Sequence, residues 1–222
     1  MDTSVHSNFN ALGLSEAILQ DLAAAGFSSP TPIQEQAIPP ALAGRDVIGC
    51  AQTGTGKTAA FVIPMVERLA ALPKGQPQAL ILAPTRELAL QTLTTIEKLG
   101  RSRRISATVI VGGADMQAQV RGLRQRPEIL VATPGRLLDH MWSGNILLSS
   151  IKMLVLDEAD RMLDMGFAPQ INQILDALPE ERQTLLFSAT LPTDLARLVQ
   201  ASVNNPVRVM VAPSATTARC PT

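Results

Sequence analysis

The sequence has few aromatic residues and few thiols. It contains no tyrosine, one tryptophan (Trp142) and two cysteines in 222 residues. So few aromatic side chains argue against a surface that stacks nucleobases, and any bound nucleic acid is expected to be gripped by its backbone. Two distant thiols, Cys50 and Cys220, make no disulfide framework, which favours a reducing compartment. Trp142 itself is expected to serve packing.

An excess of charge is missing too, as are long apolar runs. The 19 Lys and Arg balance the 19 Asp and Glu, so the formal net charge is +0 and any nucleic-acid site must be local. No apolar run approaches the ~20 residues that cross a bilayer, and the N-terminus lacks the basic start and apolar stretch of a signal peptide. The chain is predicted to be cytoplasmic, monomeric and without a membrane partner.

Short apolar runs alternate with helical patterns along most of the chain. Most of the runs are continuous rather than alternating, which is typical of strands covered on both faces. The pattern predicts an α/β fold with one mostly parallel sheet of about seven strands and helices on both faces. The strands are expected within 46–51, 79–84, 106–113, 128–133, 153–157, 184–190 and 207–211. The helices are expected within 15–27, 58–72, 86–99, 115–125, 134–144, 168–178 and 191–202.

Three residues are expected to set helix boundaries. Ser15 is a candidate cap for the first helix, and Gly26 is a candidate stop after it. Pro64 falls inside the helical pattern that follows Lys57, where it should kink or shorten the helix.

A glycine-rich segment, AQTGTGKT (51–58), joins a predicted strand to a predicted helix. Glycines in such a loop let successive N–H groups turn toward phosphate oxygens, and the helix N-terminus adds partial positive charge. The alternative is a glycine-rich turn that carries a surface lysine. The pattern predicts a phosphate loop in which Lys57 contacts the phosphates and Thr58 offers its hydroxyl to Mg²⁺. The expected nucleotide ligands in the loop are Gln52, Thr53, Gly54, Thr55, Gly56, Lys57 and Thr58.

A second polar segment ends the apolar run in KMLVLDEAD (152–160). Acids at the tip of a parallel strand suit a second anchor for Mg²⁺, which assigns that role to Asp157. Consecutive side chains of an extended chain point in opposite directions, so Glu158 can take a different task, the activation of the attacking water. Asp157, Glu158 and Lys57 are therefore the predicted catalytic residues. The alternative is an exposed strand-to-helix turn in which acids cap the next helix.

Seven motifs in order resemble those of the first RecA-like domain of DEAD-box RNA helicases. The resemblance implies that residues 1–211 form an ATP-binding domain with a Q motif region at 9–34. The stretch 212–222 looks like a linker. The motifs are GFSSPTPIQ (26–34), AQTGTGKT (51–58), PTRELA (84–89), GG (112–113), TPGR (133–136), DEAD (157–160) and SAT (188–190).

The resemblance implies three roles for residues in these motifs: contact with adenine, coupling and contact with RNA. Phe9 would pack on adenine, and the Gln34 amide matches the donor and acceptor edge of that base, although Gln34 could instead simply begin a helix. Asp160, Ser188 and Thr190 would couple the ATP state to RNA release. Tips of strands would hold the sugar-phosphate backbone of RNA. The RNA-facing residues would be Pro84, Thr85, Arg86, Gly112, Gly113, Thr133, Pro134, Gly135 and Arg136.

Other interpretations remain open for the basic residues. Each arginine taken alone could form a surface salt bridge. The run RSRR (101–104) is interpreted as a solvated loop, and RNA contact is the alternative. The activity could be that of a DNA helicase or translocase, or of an ATP-switched RNA clamp with little unwinding.

A second RecA-like domain is expected to be absent from these 222 residues, because no strand and helix alternation follows residue 211. The resemblance implies that this second domain carries arginines that the reaction needs. The chain is therefore expected to bind Mg²⁺ with ATP, ADP or AMP, yet to hydrolyse ATP very slowly on its own.

Overall fold

The computed structural model describes residues 8–190 and 193–211, whose strands form a single seven-stranded sheet. Every paired strand is parallel, and the strand order is β3-β4-β2-β5-β6-β1-β7. The predicted tail 212–222 and Cys220 lie outside the described residues. The strands are β1 Val47–Cys50, β2 Ala79–Leu82, β3 Ala107–Ile110, β4 Ile129–Ala132, β5 Met153–Leu156, β6 Gln183–Ser188 and β7 Val207–Met210.

Helices connect these strands, with a short 3-10 helix at Phe9–Leu12 before the first of them. All seven predicted strands are present, and each predicted helical segment contains a helix. The helices are α1 Glu16–Ala24, α2 Pro32–Leu42, α3 Lys57–Leu69, α4 Arg86–Leu99, α5 Met116–Arg124, α6 Pro134–Trp142, α7 Ala159–Asp164, α8 Ala168–Asp176 and α9 Thr193–Ser202.

The core consists of two apolar layers, one on each face of the sheet. Neighbouring residues of a strand enter different layers, as Leu154 and Val155 of β5 do. Helices α1 to α4 cover the layer that holds Val155, and α5 to α9 cover the layer that holds Leu154. The continuous apolar runs of the sequence are therefore explained, because both faces of the central strands are buried.

The sequence patterns missed two α-helices and misjudged the side chains of Ser15 and Trp142. The pattern did not predict α2, because Pro39 and Pro40 lie in its interior. It also did not predict α7, which is only six residues long. Pro64 does not end α3, which continues to Leu69. Ser15 precedes α1, but its hydroxyl donates to Glu67 Oε2 at 2.8 Å rather than capping the helix. The expectation that Trp142 is packed is wrong, because it is 71% exposed.

Gly49 of β1 packs closely against a buried aromatic ring. A Cβ atom at this position would lie 2.6 Å from Cδ1 of the buried Phe187 ring. We expect Gly49→Ala to destabilise the domain by about 1–3 kcal/mol, because the overpacked ring must move. Urea denaturation measures the change. Gly135→Ala is the control, since a Cβ there meets nothing within 4 Å and should change stability by less than about 0.5 kcal/mol. Equal unfolding midpoints for both variants would contradict tight packing at Gly49.

Candidate nucleotide site and adjoining loops

The predicted phosphate loop connects the end of β1 to the start of α3. Gly54 and Gly56 adopt left-handed backbone angles, with φ of 79° and 92°. A Cβ on Gly56 would also lie 2.4 Å from Nε2 of Gln34. Both the backbone and the space at this position therefore require glycine. Within the loop, the Thr55 hydroxyl donates a hydrogen bond to the Gln52 carbonyl at 2.6 Å.

Lys57 begins α3 and is buried, with 6% of its surface exposed. Its Nζ donates to the Ala51 carbonyl at 2.8 Å, so the side chain folds back over the loop that precedes it. This geometry does not match the alternative of a surface lysine on a turn. The loop residues Thr53, Gly54, Gly56, Lys57 and Thr58 line one wall of a cavity of about 490 Å³.

Asp157 and Glu158 line the same cavity, although the sequence predicted that they point in opposite directions. That expectation is wrong because β5 ends at Leu156 and the chain turns at Glu158, whose φ is 50°. Both acids are buried, with 5% and 8% of their surfaces exposed. The alternative of an exposed acidic turn is therefore wrong for these two residues. A left-handed angle at a residue with a side chain is uncommon and is typical of functional sites.

The environment of Asp157 suits a bound cation. Burial raises its pKa most strongly, the Lys57 charge lowers it only in part, and the result is about 7. Thr58 lines the same cavity and provides a neutral hydroxyl oxygen. A buried carboxylate and a hydroxyl are oxygen ligands of the kind that Mg²⁺ prefers, with phosphates and water completing the shell. Within the described ranges, no group of three or more His, Cys, Asp or Glu side chains could hold a metal ion.

The raised pKa of Asp157 predicts a pH-dependent stability without metal. An aspartate titrates near 3.8 when exposed and near 7 here, so the folded state resists ionisation and loses stability as the pH rises between these values. Asp157→Asn should remove this loss, and its advantage over wild type should grow by about 2 kcal/mol between pH 5 and pH 7. Urea denaturation in a chelator measures it, with exposed Asp164→Asn as control. A pH-independent difference would contradict the raised pKa.

Phe9 and Gln34, the predicted adenine ligands, are both buried. The Gln34 side chain, 1% exposed, accepts from the Thr31 N–H at 3.0 Å and donates to the Gly56 carbonyl at 3.0 Å. Gln34 thus lies in the first turn of α2 and links that helix to the phosphate loop. Phe9 packs edge-on against Phe27, with ring centroids 6.4 Å apart. Contact with a base stays a prediction for both side chains.

Asp160, Ser188 and Thr190 are brought together as a single cluster. Asp160 Oδ2 accepts from the Thr190 N–H and hydroxyl, both at 2.9 Å, and from the Ala189 N–H at 3.2 Å. The Asp160 N–H donates to the Ser188 hydroxyl at 3.3 Å. Burial pushes the pKa of Asp160 upward, but hydrogen bonds involving Thr190 and Ser188 outweigh it and the pKa is lowered. The start of α7 is therefore fastened to the end of β6.

The predicted RNA-facing loops follow β2, β3 and β4 at one edge of the sheet. Arg86 Nη1 donates to the Gly113 carbonyl at 3.3 Å, and Arg136 Nη1 donates to the Ala114 carbonyl at 2.9 Å. Arg136 also lies 3.4 Å from Asp139, so the salt-bridge alternative holds for it. Both guanidinium groups thereby support the loop that carries Gly112 and Gly113.

The other predicted RNA-facing residues differ in exposure. Gly112, Gly113 and Arg86 are exposed, and Thr85 is half-buried because its hydroxyl caps α4 by accepting from the Leu88 N–H. Gly135 is also half-buried at the start of α6, whereas the remaining three are buried. The buried residues are Pro84, Thr133 and Pro134.

A buried hydrogen-bonded chain behind these loops was missed. Gln119 Nε2 donates to the Val111 carbonyl at 2.9 Å, and Gln119 Oε1 lies 3.1 Å from His140 Nε2. The Oε1 atom can only accept, so Nε2 of His140 carries the hydrogen and Nδ1 accepts from Asn145 at 3.3 Å. Burial and the nearby Arg136 lower the pKa of His140. No spacing rule relates these residues, since the fold brings them together.

The cavity between the loop 51–58 and the acids 157 and 158, called the nucleotide cavity below, is also lined by four residues that the sequence did not predict: Leu88, Gln91, Thr92 and Arg161. The first three come from α4, where Leu88 belongs to the motif PTRELA (84–89) and Gln91 and Thr92 lie beyond it. Arg161 is signalled by its spacing, because an arginine three residues after Glu158 on a helix can reach it. Its Nη1 lies 3.3 Å from Glu158 Oε2.

The basic run RSRR is not simply a solvated loop. The Arg103 side chain lies 3.0 Å from Glu67 and also donates to the Ser15 hydroxyl. Ser102 donates its N–H and hydroxyl to the buried Asp21. The run therefore fastens the end of α4 to α1 and α3, which gives part of it a structural role.

The parallel sheet, the loop 51–58 and the paired acids define an α/β domain of the RecA-like class. The model of the DEAD/DEAH box helicase family matches residues 31–198, more than half of the chain. The chain therefore belongs to the DEAD/DEAH box helicase family.

Curated relatives and a solved structure agree with this assignment. The chain is 48% identical over 213 residues to the ATP-dependent RNA helicase DRS1 of Coccidioides immitis, covering 95% of this chain and 25% of that protein. It is 47% identical over 214 residues to the DEAD-box ATP-dependent RNA helicase RhpA of Helicobacter pylori, covering 96% and 43%. The crystal structure of a DEAD box protein from Methanococcus jannaschii matches with a TM-score of 0.86 and 38% identity, covering 92% and 56%. The chain thus spans between a quarter and somewhat over half of these proteins.

None of the helices in the described ranges is both long and apolar enough to cross a membrane.

Proposed function

We propose that this chain is the ATP-binding half of an ATP-dependent RNA helicase. The observation that carries the proposal is the cavity in which the phosphate loop, Lys57, Thr58 and the acids Asp157 and Glu158 face one another. Backbone N–H groups and Lys57 would hold the phosphates. The names of the relatives, all ATP-dependent RNA helicases, support the choice of nucleotide and of RNA.

Each acid would have a separate task in this cavity. Asp157 and Thr58 would hold Mg²⁺, which when bound supplies positive charge that offsets the charge of the phosphates. Glu158 would orient the attacking water and accept its proton. Gln34 and Phe9 would select adenine, and the Gln34 amide has a second N–H and a second lone pair beside its bonds to Gly56 and Thr31.

RNA would bind through its sugar-phosphate backbone at the loops after β2, β3 and β4. The exposed Arg86 and the exposed glycines 112 and 113 supply a cation and accessible N–H groups, which suit phosphates without reading sequence. The Asp160, Ser188 and Thr190 cluster would transmit the nucleotide state to this surface. A second RecA-like domain of the longer protein would complete both sites.

A binding experiment tests the proposal directly. Calorimetry with ADP and Mg²⁺ should give saturable binding that Asp157→Asn weakens severalfold. Ultraviolet cross-linking of single-stranded RNA and DNA of equal length should favour RNA and should map to the loops after β2, β3 and β4. Failure to bind ADP would reject the nucleotide site, and preferential cross-linking of DNA would favour the alternative of a DNA helicase or translocase.

The second candidate is an ATP-switched RNA clamp with little unwinding, which would use the same cavity. It is favoured by the tight Asp160 cluster, since a stable contact of this kind suits a long-lived bound state. Duplex unwinding by the full-length protein separates the two candidates. A cytoplasmic location and a monomeric state remain part of the proposal.

A further inference from the structure

Arg161 has no role in the site as proposed, yet it lines the nucleotide cavity. It lies in the first turn of α7, and its Nη1 lies 3.3 Å from Glu158 Oε2. Its side chain is 54% exposed, whereas that of its partner is only 11% exposed. The residue proposed to activate water is therefore held by a cation that is itself open to the cavity.

The two cations that line this cavity are held differently. Lys57 is 6% exposed and its Nζ is bonded to the Ala51 carbonyl. Arg161 engages Glu158 through one of the two Nη atoms of a guanidinium that carries five N–H groups. A half-exposed side chain with one ion pair can change partners at little cost, because the contact is partly screened by water.

The terminal phosphate of a triphosphate is the anion best placed to compete for Arg161. If Glu158 activates the attacking water, the phosphorus under attack lies about one water molecule beyond the Glu158 carboxylate. Arg161 is already in contact with that carboxylate. Phosphate oxygens carry more charge than a carboxylate and match the guanidinium fork, so they should draw Arg161 away. A diphosphate lacks this group and should leave the pair intact.

We propose that Arg161 distinguishes ATP from ADP: it pairs with Glu158 in the empty and ADP-bound domain and transfers to the terminal phosphate of ATP, which releases Glu158. The inference rests on the proposed function, because it requires a nucleotide in this cavity. Arg161 is thus a specificity-determining residue for the triphosphate and a positioning residue for Glu158.

The first test compares two nucleotides on the chain itself. Affinities for ADP and for the non-hydrolysable β,γ-imido analogue of ATP, each with Mg²⁺, are measured by calorimetry for wild type and Arg161→Gln. We expect the triphosphate to bind roughly five- to tenfold more weakly to the variant and ADP to change less than about twofold. Arg161→Lys should recover part of the loss. The control is Arg121→Gln, since Arg121 is an exposed arginine paired with Asp115 outside the cavity.

A double-mutant cycle separates transfer of Arg161 from simple repulsion by Glu158. Glu158→Gln removes the anion that competes for Arg161, so it should tighten triphosphate binding by a few fold in the wild-type background. In the Arg161→Gln background the same change should have a much smaller effect. Equal effects in both backgrounds would overturn the proposal, because they would mean that Glu158 acts on the phosphate by itself.

The remaining outcomes are also distinct. Equal losses of ADP and triphosphate affinity in Arg161→Gln, or no loss of either, would overturn the inference and leave the nucleotide site standing. Absence of binding of both nucleotides to the wild-type chain would reject the proposed function, and the inference with it. Circular dichroism of each variant establishes that the fold is retained before affinities are compared.

Discussion

Lys57→Ala is expected to weaken binding of ADP with Mg²⁺ by about 100-fold. The lysine is buried at the wall of the cavity, and a charge-assisted hydrogen bond to phosphate in such a place contributes about 1.5–3 kcal/mol. Its loss also removes the charge that lowers the pKa of Asp157, so the carboxyl becomes harder to ionise for Mg²⁺. Both effects act in the same direction.

Calorimetric titration of ADP measures this loss. Lys98→Ala is the matched control, since Lys98 is an exposed lysine of α4 and should leave the affinity unchanged. Unfolding midpoints of the two variants in the absence of nucleotide separate a folding defect from a binding defect. Retention of wild-type affinity in a folded Lys57→Ala variant would contradict the assignment of the phosphate loop.

The second large effect concerns hydrolysis. We expect this chain alone to turn over ATP at least about 10³-fold more slowly than the same chain extended through its second RecA-like domain. Lys57 and Arg161 line the cavity and would reach the phosphates of a bound nucleotide, but an arginine supplied from outside the domain contributes roughly 10³–10⁵ in the rate of phosphoryl transfer. RNA should stimulate the longer protein and not the isolated chain.

Steady-state release of phosphate with and without single-stranded RNA measures the difference. Glu158→Gln should abolish turnover of the longer protein and leave the background rate of the isolated chain unchanged. RNA-stimulated turnover by the isolated chain that disappears in Glu158→Gln would mean that the active site is complete without a second domain.

The sheet was predictable because its signal is local. The central strands are apolar runs flanked by loops, and burial on both faces leaves a continuous apolar pattern. Helix α2 was not predictable in the same way, since Pro39 and Pro40 oppose a helix and packing against α3 overrides them. The prediction that Trp142 is packed was wrong for a different reason, because composition alone does not say whether a side chain is buried.

The candidate site shows the same difference between local sequence signals and long-range contacts. The loop 51–58 and the acids 157 and 158 are contiguous motifs, and the structure places both acids in one cavity with five residues of the loop, Thr53, Gly54, Gly56, Lys57 and Thr58. Their relative orientation was not predictable, since it depends on the left-handed turn at Glu158. Gln119 and His140 meet only through the fold. Residues that belong to recognisable motifs can therefore be placed together from the sequence, whereas contacts that no motif marks, such as Gln119 with His140, cannot.

Three hydrogen bonds from Ala189 and Thr190 converge on one oxygen atom of Asp160. Bonds that share a single acceptor are coupled, because a displacement of that oxygen away from residues 189 and 190 lengthens all of them together. The junction between α7 and the end of β6 is therefore cooperative. We expect its three hydrogen bonds to form and break together, so that a displacement of Asp160 would release residues 189 and 190 in one step.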